Sequence, residues 1–158
     1  QQSNLIKKVD EILYLTQLAP KWLELEVTES TFMENVSLAI ETLKAFQDME
    51  ISISMDDFGT GYSSLAYLKQ FPFQTLKIDR SFIQELHNNA QDQAIVAAII
   101  TLSRGLNLRV VAEGIETPNQ LNILKTLQCE EMQGYFFSPP LSSKQMIKFL
   151  KDFEKKRI

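Results

Sequence analysis

Two adjacent acidic residues, Asp56 and Asp57, follow the alternating segment 51–55 and precede a loop that contains Gly59 and Gly61. Alternation of apolar and small polar residues predicts a strand that places both carboxylates at its carboxyl end. Like charges a few ångströms apart repel, so the pair is costly unless a cation neutralises it. A bridging divalent metal ion is the usual remedy. An acidic turn after a strand is the simpler reading of the isolated pattern, and the rest of the chain decides between the two.

Four other segments also have strand-like patterns, and each brings a charged or polar residue near its end. These residues are Glu26 in 22–29, Lys77 in 75–79, Glu113 in 108–113 and Gln133 in 131–134. If the strands are parallel neighbours, their carboxyl ends and these side chains converge with Asp56 on one mouth. Carboxylates without a nearby histidine or cysteine cluster are hard oxygen ligands, which suit Mg²⁺ or Mn²⁺. A lysine among them can orient a water or hold a phosphate, so the set suits two-metal hydrolysis of a phosphodiester.

The predicted strands alternate with predicted helices, which implies an α/β fold with parallel strands and right-handed crossovers. The helices are predicted over residues 4–18, 34–49, 63–70, 91–104 (ended by Gly105), 118–127 (capped by Thr117) and from Ser142 onward. An open doubly wound sheet has helices on both faces and apolar strands, whereas these strands have one polar face. The pattern therefore predicts a TIM-type (β/α) barrel. About five of the eight strand–helix units are present, since the complete barrel needs about 250 residues.

The composition is that of one ordinary globular domain of 158 residues with a net charge of -4. This charge argues against a nucleic-acid polymer as partner. The single cysteine, Cys129, fits a reducing compartment and predicts a small buried residue rather than a disulfide. The chain has no recognisable signal peptide and no apolar run long enough to cross a bilayer, so we expect a cytoplasmic segment without membrane contact. Because it opens at Gln1 within a helical pattern, we expect a piece of a longer protein, which could itself be membrane-tethered.

Five ordered motifs resemble those of the EAL-domain family, bacterial phosphodiesterases that open cyclic di-GMP to linear pGpG. The motifs are Glu24–Ser30, Asp56–Ser64, Leu76–Phe82, Val111–Thr117 and Gln133–Ser138. The resemblance extends from Gln1 to about Leu150. It implies that residues 1–158 are the C-terminal two-thirds of such a domain, with cyclic di-GMP as the small-molecule ligand.

The resemblance also implies roles for individual residues. Glu26 and Asp56 resemble ligands of a first metal ion, and Asp57 helps to hold a second one. Lys77 resembles the residue that positions the attacking water, and Glu113 resembles the general base near the second metal. The remaining family positions support the site or couple it to dimer contacts: Gln133 and Glu116 on the substrate side, Glu29 as an anchor, and the loop Phe58, Gly59, Thr60, Gly61, Tyr62, Ser63 and Ser64.

Several family features are missing. The naming Glu-x-Leu strand and an asparagine ligand are absent, and Pro139 stands where many members have a basic residue. The fragment alone is therefore expected to be weakly active or inactive. Two alternatives remain open: a degenerate sensor that binds cyclic di-GMP without turnover, and a dimerisation module. The open edges at 23–28 and 131–134 predict a homodimer or other self-association.

Simpler structural roles are open to Glu116 and are expected for several other residues. Glu116 could instead cap the helix that starts at Thr117, and Asp79 and Arg80 are expected to form a structural ion pair. Phe136 and Phe137 are expected in the core rather than as a base-stacking platform. His87 is expected to be exposed in a polar loop, without a chemical role.

Overall fold

The computed structural model describes residues 2–28, 31, 35–59 and 68–156. Within these ranges the strands are β1 Glu24–Thr28, β2 Ser52–Phe58, β3 Thr75–Ile78, β4 Arg109–Ala112 and β5 Glu131–Met132. The α-helices are α1 Gln2–Thr16, α2 Val36–Asp48, α3 Ser81–Gln84, α4 Ala90–Gly105, α5 Pro118–Thr126 and α6 Ser143–Lys156. The predicted helix over 63–70 falls largely outside the described residues.

All five strands are parallel, and each is hydrogen-bonded to the strand that follows it along the chain. A doubly wound sheet reverses its strand order at a switch point, whereas this order, β1-β2-β3-β4-β5, runs in one direction. The winding is that of a TIM-type barrel wall, which confirms the predicted fold class. In the described part of the chain the sheet is not closed, and β1 and β5 are its two edges.

The two faces of the sheet differ as the sequence predicts. The helix-covered face is apolar, with Ile53, Leu76 and Ile78 completely buried. Full burial of such a side chain stabilises the fold by roughly 1.5–3 kcal/mol. The opposite face is polar, and yet Ser54 and Thr75 on it are also inaccessible to solvent. The polar face is therefore the wall of a narrow interior rather than an outer surface.

Two helix ends agree with the predictions made from the sequence. The Thr117 side chain accepts a hydrogen bond from the Gln120 backbone, and the Gln120 side chain reaches back to the backbone N–H of Thr117, which confirms the capping box. The helix α4 ends at Gly105, where the sequence predicts its C-terminal stop. Asn107 adopts the left-handed conformation (φ 57°) two residues later, a conformation that asparagine tolerates better than most residues. No helix among the described residues is long and apolar enough to cross a bilayer.

Three local predictions need correction. Trp22 lies in a 3₁₀ turn, Pro20–Trp22, so the first strand starts two residues later than its alternation suggested. The short helix α3 was not predicted, and the Asp79 side chain accepts a hydrogen bond from the Ser81 backbone at its start. Asp79 therefore does not pair with Arg80, whose guanidinium binds Glu116 instead (Nη2–Oε1 2.9 Å).

Gly134 lies where two segments of backbone touch. The Ile115 N–H donates to the Gln133 carbonyl (3.1 Å), and the Phe136 N–H donates to the Ile115 carbonyl (2.9 Å). A Cβ atom at Gly134 would lie 2.1 Å from the Ile115 oxygen and 2.3 Å from its nitrogen. Only glycine permits this approach, which ties the chain after β5 to the chain after β4.

Gly134→Ala should therefore destabilise the protein by about 3 kcal/mol, since rigid backbone must move to admit the methyl group. Gly105→Ala is the matched control, because nothing lies within 4 Å of its added Cβ and the residue is helical. The control should be neutral or slightly stabilising. Urea denaturation followed by circular dichroism measures both, and equal midpoints for the two variants would refute the close approach.

Candidate functional site

Lys77 on β3 is the centre of a cluster of acidic side chains contributed by different strands. Its Nζ lies 2.6 Å from Glu26 Oε1, 2.7 Å from Glu113 Oε1 and 3.4 Å from Asp56 Oδ1. Glu26 belongs to β1 and Asp56 to β2, while Glu113 directly follows β4. We call Glu26, Asp56, Lys77 and Glu113 the Lys77 cluster. Four of the five predicted site positions at strand ends are thus brought together, with Lys77 in contact with each of the three acids.

The ammonium group of Lys77 is nearly enclosed, with 8% of its side chain exposed. Burial by itself would lower the pKa of Lys77. The hydrogen bonds to Glu113 and Glu26 and the charges of Glu113 and Asp56 outweigh burial and raise that pKa above the ordinary lysine value. Lys77 is therefore a fixed cation that donates hydrogen bonds and cannot act as a proton acceptor near neutral pH.

Asp56 and Asp57 occupy different environments although they are adjacent. Asp56 Oδ1 is buried and accepts no hydrogen bond from the described residues, apart from its ionic contact with Lys77. Asp57 has a left-handed backbone (φ 55°), beside the shift in register between β2 and β3. Burial raises the pKa of the Asp57 carboxyl, the neighbouring Asp56 and Asp79 charges raise it further, and Lys77 opposes them. The pair thus gathers negative charge that a cation would neutralise.

A second charged cluster lies at the amino-terminal end of the same polar face, and the sequence analysis did not identify it. Arg109 Nη2 lies 3.0 Å from Glu24 Oε2 and 2.8 Å from Thr75 Oγ1, and Nη1 lies 3.6 Å from Glu131 Oε1. We call these four residues the Arg109 cluster. In the sequence, the only sign of this cluster is that the charged residue Arg109 stands in a mostly apolar strand, at a position that faces the polar side of the sheet.

Gln133 and Glu116 are held beside the cluster by the backbone contacts of their neighbours. The Gln133 N–H donates to the Ala112 carbonyl (2.8 Å), next to Glu113, and its side chain is exposed. Glu116 does not cap α5, because Thr117 does so. Its carboxylate forms the ion pair with Arg80 at the rim of the sheet. The structure thus places both residues near the mouth and outside the contacts of Lys77.

Part of the predicted site falls outside the described residues: Glu29, Thr60, Gly61, Tyr62, Ser63 and Ser64. Of the predicted loop, Phe58 and Gly59 are described. Phe58 is a core residue, 6% exposed. Gly59 has φ 97°, and a Cβ there would lie 2.9 Å from the Phe82 ring.

The remaining sequence predictions divide into two confirmed and one wrong. Cys129 is buried, and burial raises the pKa of its thiol, so it is a structural residue. His87 is exposed in a polar turn, as expected. Phe136 and Phe137 are not core residues, since 38% and 46% of their surfaces are exposed and their rings contact edge to face. They lie two and three residues after Gly134, in a segment where Tyr135 is also exposed.

The model of the EAL domain matches residues 1–140 of this chain. The chain belongs to the EAL domain family. A relative from Pseudomonas aeruginosa, the cyclic di-GMP phosphodiesterase NbdA, is 45% identical over 152 residues, which are 96% of this chain and 19% of NbdA. The chain spans about a fifth of the length of the curated relatives it matches.

Solved structures of EAL proteins have the same fold. The PaMucR phosphodiesterase in complex with c-di-GMP superposes with a TM-score of 0.87 at 46% identity, over 90% of this chain and 57% of that one. Klebsiella pneumoniae BlrP1, in a manganese and cyclic di-GMP complex, gives a TM-score of 0.80 at 31% identity, over 85% and 34%. Another BlrP1 structure contains calcium. PaMucR thus binds c-di-GMP, and BlrP1 binds cyclic di-GMP together with manganese or calcium.

The donor chemistry of this EAL chain fits a hard divalent cation. The candidate ligands are carboxylate oxygens throughout, and Asp56 Oδ1 is a buried oxygen without a hydrogen-bond donor among the described groups. Over those same residues, no three acidic, histidine or cysteine side chains are arranged as a complete metal site. The described acids are gathered around the Lys77 ammonium instead.

Replacing this ammonium should expose its structural role in the EAL chain. Lys77→Met leaves three acids without their shared cation and should lower the free energy of unfolding by about 2 kcal/mol at pH 7. Breaking a buried pair costs 3–5 kcal/mol, and half of the Glu26 side chain is solvated. Lys125→Met, an exposed lysine on α5, is the control and should change little.

The difference in the free energy of unfolding between wild type and Lys77→Met should depend on pH in a definite direction. The pKa of Lys77 is higher in the folded chain than in the unfolded one, so its contribution is complete below about pH 10.4 and is lost as pH rises through the folded-state value. The gap between wild type and Lys77→Met should be constant from about pH 7 to 9 and narrow above about pH 10.4. Urea denaturation across this range measures it, and a gap that widens in alkali would contradict the assignment.

Proposed function

We propose that this chain is part of a metal-dependent phosphodiesterase that hydrolyses cyclic di-GMP to linear pGpG. The observation that supports it best is the convergence of Glu26, Asp56 and Glu113, from three different strands, on Lys77 at the carboxyl ends of the sheet. TIM-type barrels place their chemistry at this end. Membership of the EAL family, with NbdA named as a cyclic di-GMP phosphodiesterase, supports the choice of substrate.

The metal ligands that we propose are Glu26, Asp56, Asp57 and Glu113, for Mg²⁺ or Mn²⁺. A pair of such ions would neutralise the phosphodiester and lower the pKa of a bound water. The manganese complex of BlrP1, at 31% identity, supports divalent metal use by the fold. On this proposal the buried Asp56 Oδ1, which lacks a hydrogen-bond donor among the described residues, would become satisfied.

Lys77 and Glu113 are the proposed catalytic residues. As a permanent cation, Lys77 donates hydrogen bonds, and it can therefore orient a water or a phosphate oxygen without taking its proton. Proton transfer then falls to a carboxylate, and Glu113, in contact with Lys77, is the one we assign as general base. Gln133 and Glu116 would act on the substrate side, and Glu29 and the loop 58–64 in coupling to a partner.

We further propose that the complete domain closes the barrel with strand–helix units beyond the five in this chain. The open edges at β1 and β5 support this, as do the exposed apolar side chains on α1 and α6. Additional first-metal ligands would come from those units. The chain by itself should then hydrolyse cyclic di-GMP weakly or not at all, and a cytoplasmic location is proposed for the domain.

The decisive assay is hydrolysis of cyclic di-GMP in a protein that contains this segment within a complete barrel, with Mn²⁺ or Mg²⁺. Asp56→Asn and Glu113→Gln should each lower kcat by about 100-fold or more, since each 1.36 kcal/mol of lost transition-state stabilisation is tenfold. Chelation of the metal should abolish turnover, and Glu85→Gln, at an exposed position on the turn after α3, should have no effect.

Product analysis by chromatography separates the possible outcomes. Formation of pGpG supports the phosphodiesterase. Tight binding of cyclic di-GMP without any product would instead favour a degenerate sensor.

Self-association is a second function that we propose, because α6 is an amphipathic helix with an uncovered face. Met146, Phe149, Leu150 and Phe153 are 38–54% exposed, and the Phe149 and Phe153 rings stack on each other. An isolated helix of this length is only marginally stable in water. In the isolated chain, a second copy of the chain would cover this face in place of the strand–helix units that complete the barrel.

Light scattering of the 158-residue chain should therefore show a mass that increases with concentration. Phe149→Glu should lower the association constant about tenfold, because a charge would enter the apolar contact. Lys148→Gln, on the opposite side of the helix, should leave it unchanged. A monomer at every concentration would eliminate this function while leaving the phosphodiesterase proposal intact.

A further inference from the structure

The Arg109 cluster lies on the same polar face as the Lys77 cluster, nearer to the amino-terminal ends of the strands. Both clusters take residues from β1 and from β3. Along β1 they use Glu24 and Glu26, and along β3 they use Thr75 and Lys77, in each case two residues apart. Two residues along a strand correspond to about 6.6 Å, so one cluster lies about 7 Å beneath the other. The two clusters share a rigid strand on both sides.

Arg109 joins strands that do not pair with each other. It belongs to β4, whereas Glu24 belongs to β1, and β2 and β3 lie between them. In a flat sheet these strands would be about 14 Å apart. Their side chains meet at 3.0 Å, a contact that curvature of the sheet toward its polar face, as in the wall of a barrel, favours.

The strand β1 depends on such contacts because it lies at an edge. Among the described strands it is paired with β2 alone, in a register that places Glu24 beside Ser52 and Glu26 beside Ser54. Beyond this ladder, side chains that reach across the polar face add contacts between β1 and the strands β3 and β4. Arg109 provides this link at the lower end of β1, and Lys77 provides it at the upper end.

Charge also makes Arg109 difficult to replace. Its guanidinium contacts two carboxylates, Glu24 and Glu131, and the Thr75 hydroxyl. The planar guanidinium has N–H groups that point in several directions, so it can contact all three at once. Without it, two acids from opposite edges of the sheet would face the same interior without a shared cation. Repulsion and lost hydrogen bonds would then both let β1 move outward.

We infer that Arg109 is a positioning residue, which holds β1 across the barrel interior and thereby sets the distance between Glu26 and Lys77. It touches none of the residues to which we assign chemistry. Its relevance to metal binding rests on the proposed function, since Glu26 is a metal ligand only on that proposal. Its effect on the Glu26–Lys77 contact does not depend on the proposed function.

The test is the ¹⁵N spectrum of the Lys77 ammonium group in the 158-residue chain, assigned by its loss in Lys77→Met. A hydrogen-bonded, enclosed ammonium exchanges its protons slowly enough to be observed. Arg109→Met should shift this signal and raise its proton exchange rate about tenfold, comparable to the effects of mutations behind a metal ligand. Arg109→Lys, which keeps the charge and loses the fork, should have an intermediate effect on a folded protein.

Arg104→Met is the matched control, because Arg104 also forms a defined contact, with Gln128, away from the polar face. Arg104→Met should leave the Lys77 signal unchanged even if it lowers the melting temperature. A change of the signal in Arg109→Met would then not be explained by a general loss of stability. Glu24→Gln combined with Arg109→Met should recover part of the exchange protection. An unchanged Lys77 signal in both Arg109→Met and Arg109→Lys would overturn the inference.

Mn²⁺ affinity, measured by electron paramagnetic resonance, separates this inference from the proposed function. If wild type binds Mn²⁺, Arg109→Met should weaken it about tenfold while Arg104→Met does not. If neither the wild-type chain nor a protein with the complete barrel binds Mn²⁺, but the Lys77 signal responds to Arg109→Met, the positioning role stands and the metal proposal fails.

Discussion

The contact of one ammonium group with three carboxylates is the interaction on which the polar side of this protein depends. Glu26, Asp56 and Glu113 come from three different segments, and their mutual repulsion would separate the ends of the strands that bear them. Lys77 offsets that repulsion at short distance and in a nearly water-free position. The same contact gathers three of the acids for which we propose metal binding and catalysis, so Lys77 has a structural role whatever its chemistry.

This arrangement explains why β3 is buried along its whole length. Its apolar residues, Leu76 and Ile78, face the helices, while Thr75 and Lys77 face the interior, and all four are nearly inaccessible. A charged residue in such a strand is tolerated only if its hydrogen-bonding groups are paired. The surrounding segments supply these partners, Glu26 and Glu113 among them.

The fold class was predictable because it depends on local, repeated signals. Alternation with one polar phase identified strands such as β1, and the Thr117 capping box marked a helix start that the structure confirms. Boundaries were less accurate where tertiary contacts override local preference. The first strand starts after Trp22 rather than at it, and Phe136 and Phe137 are exposed in the segment that follows the close approach of Gly134 to Ile115. No local pattern contains the information that these segments touch.

The candidate site shows the same division. The residue types at the strand ends were predictable from the sequence, since carboxylates gathered at the ends of apolar strands cost free energy unless a cation neutralises them. Which acid approaches Lys77, and how closely, depends on register and curvature between strands. Arg109 shows this most clearly, because its partners Glu24 and Glu131 are distant from it in sequence. Glu24 lies on β1, which does not pair with β4, and Glu131 lies on β5, which does.

By itself, the sequence determined the alternation of elements, the polar and apolar phases of each strand and the kinds of side chain at the carboxyl ends. It could do so because propensity, periodicity and side-chain chemistry act over a few residues. The tertiary structure alone decided the strand order, the pairing of Arg80 with Glu116 and the partners of Lys77 and Arg109. These depend on the curvature of a sheet, which arises only when all five strands are assembled.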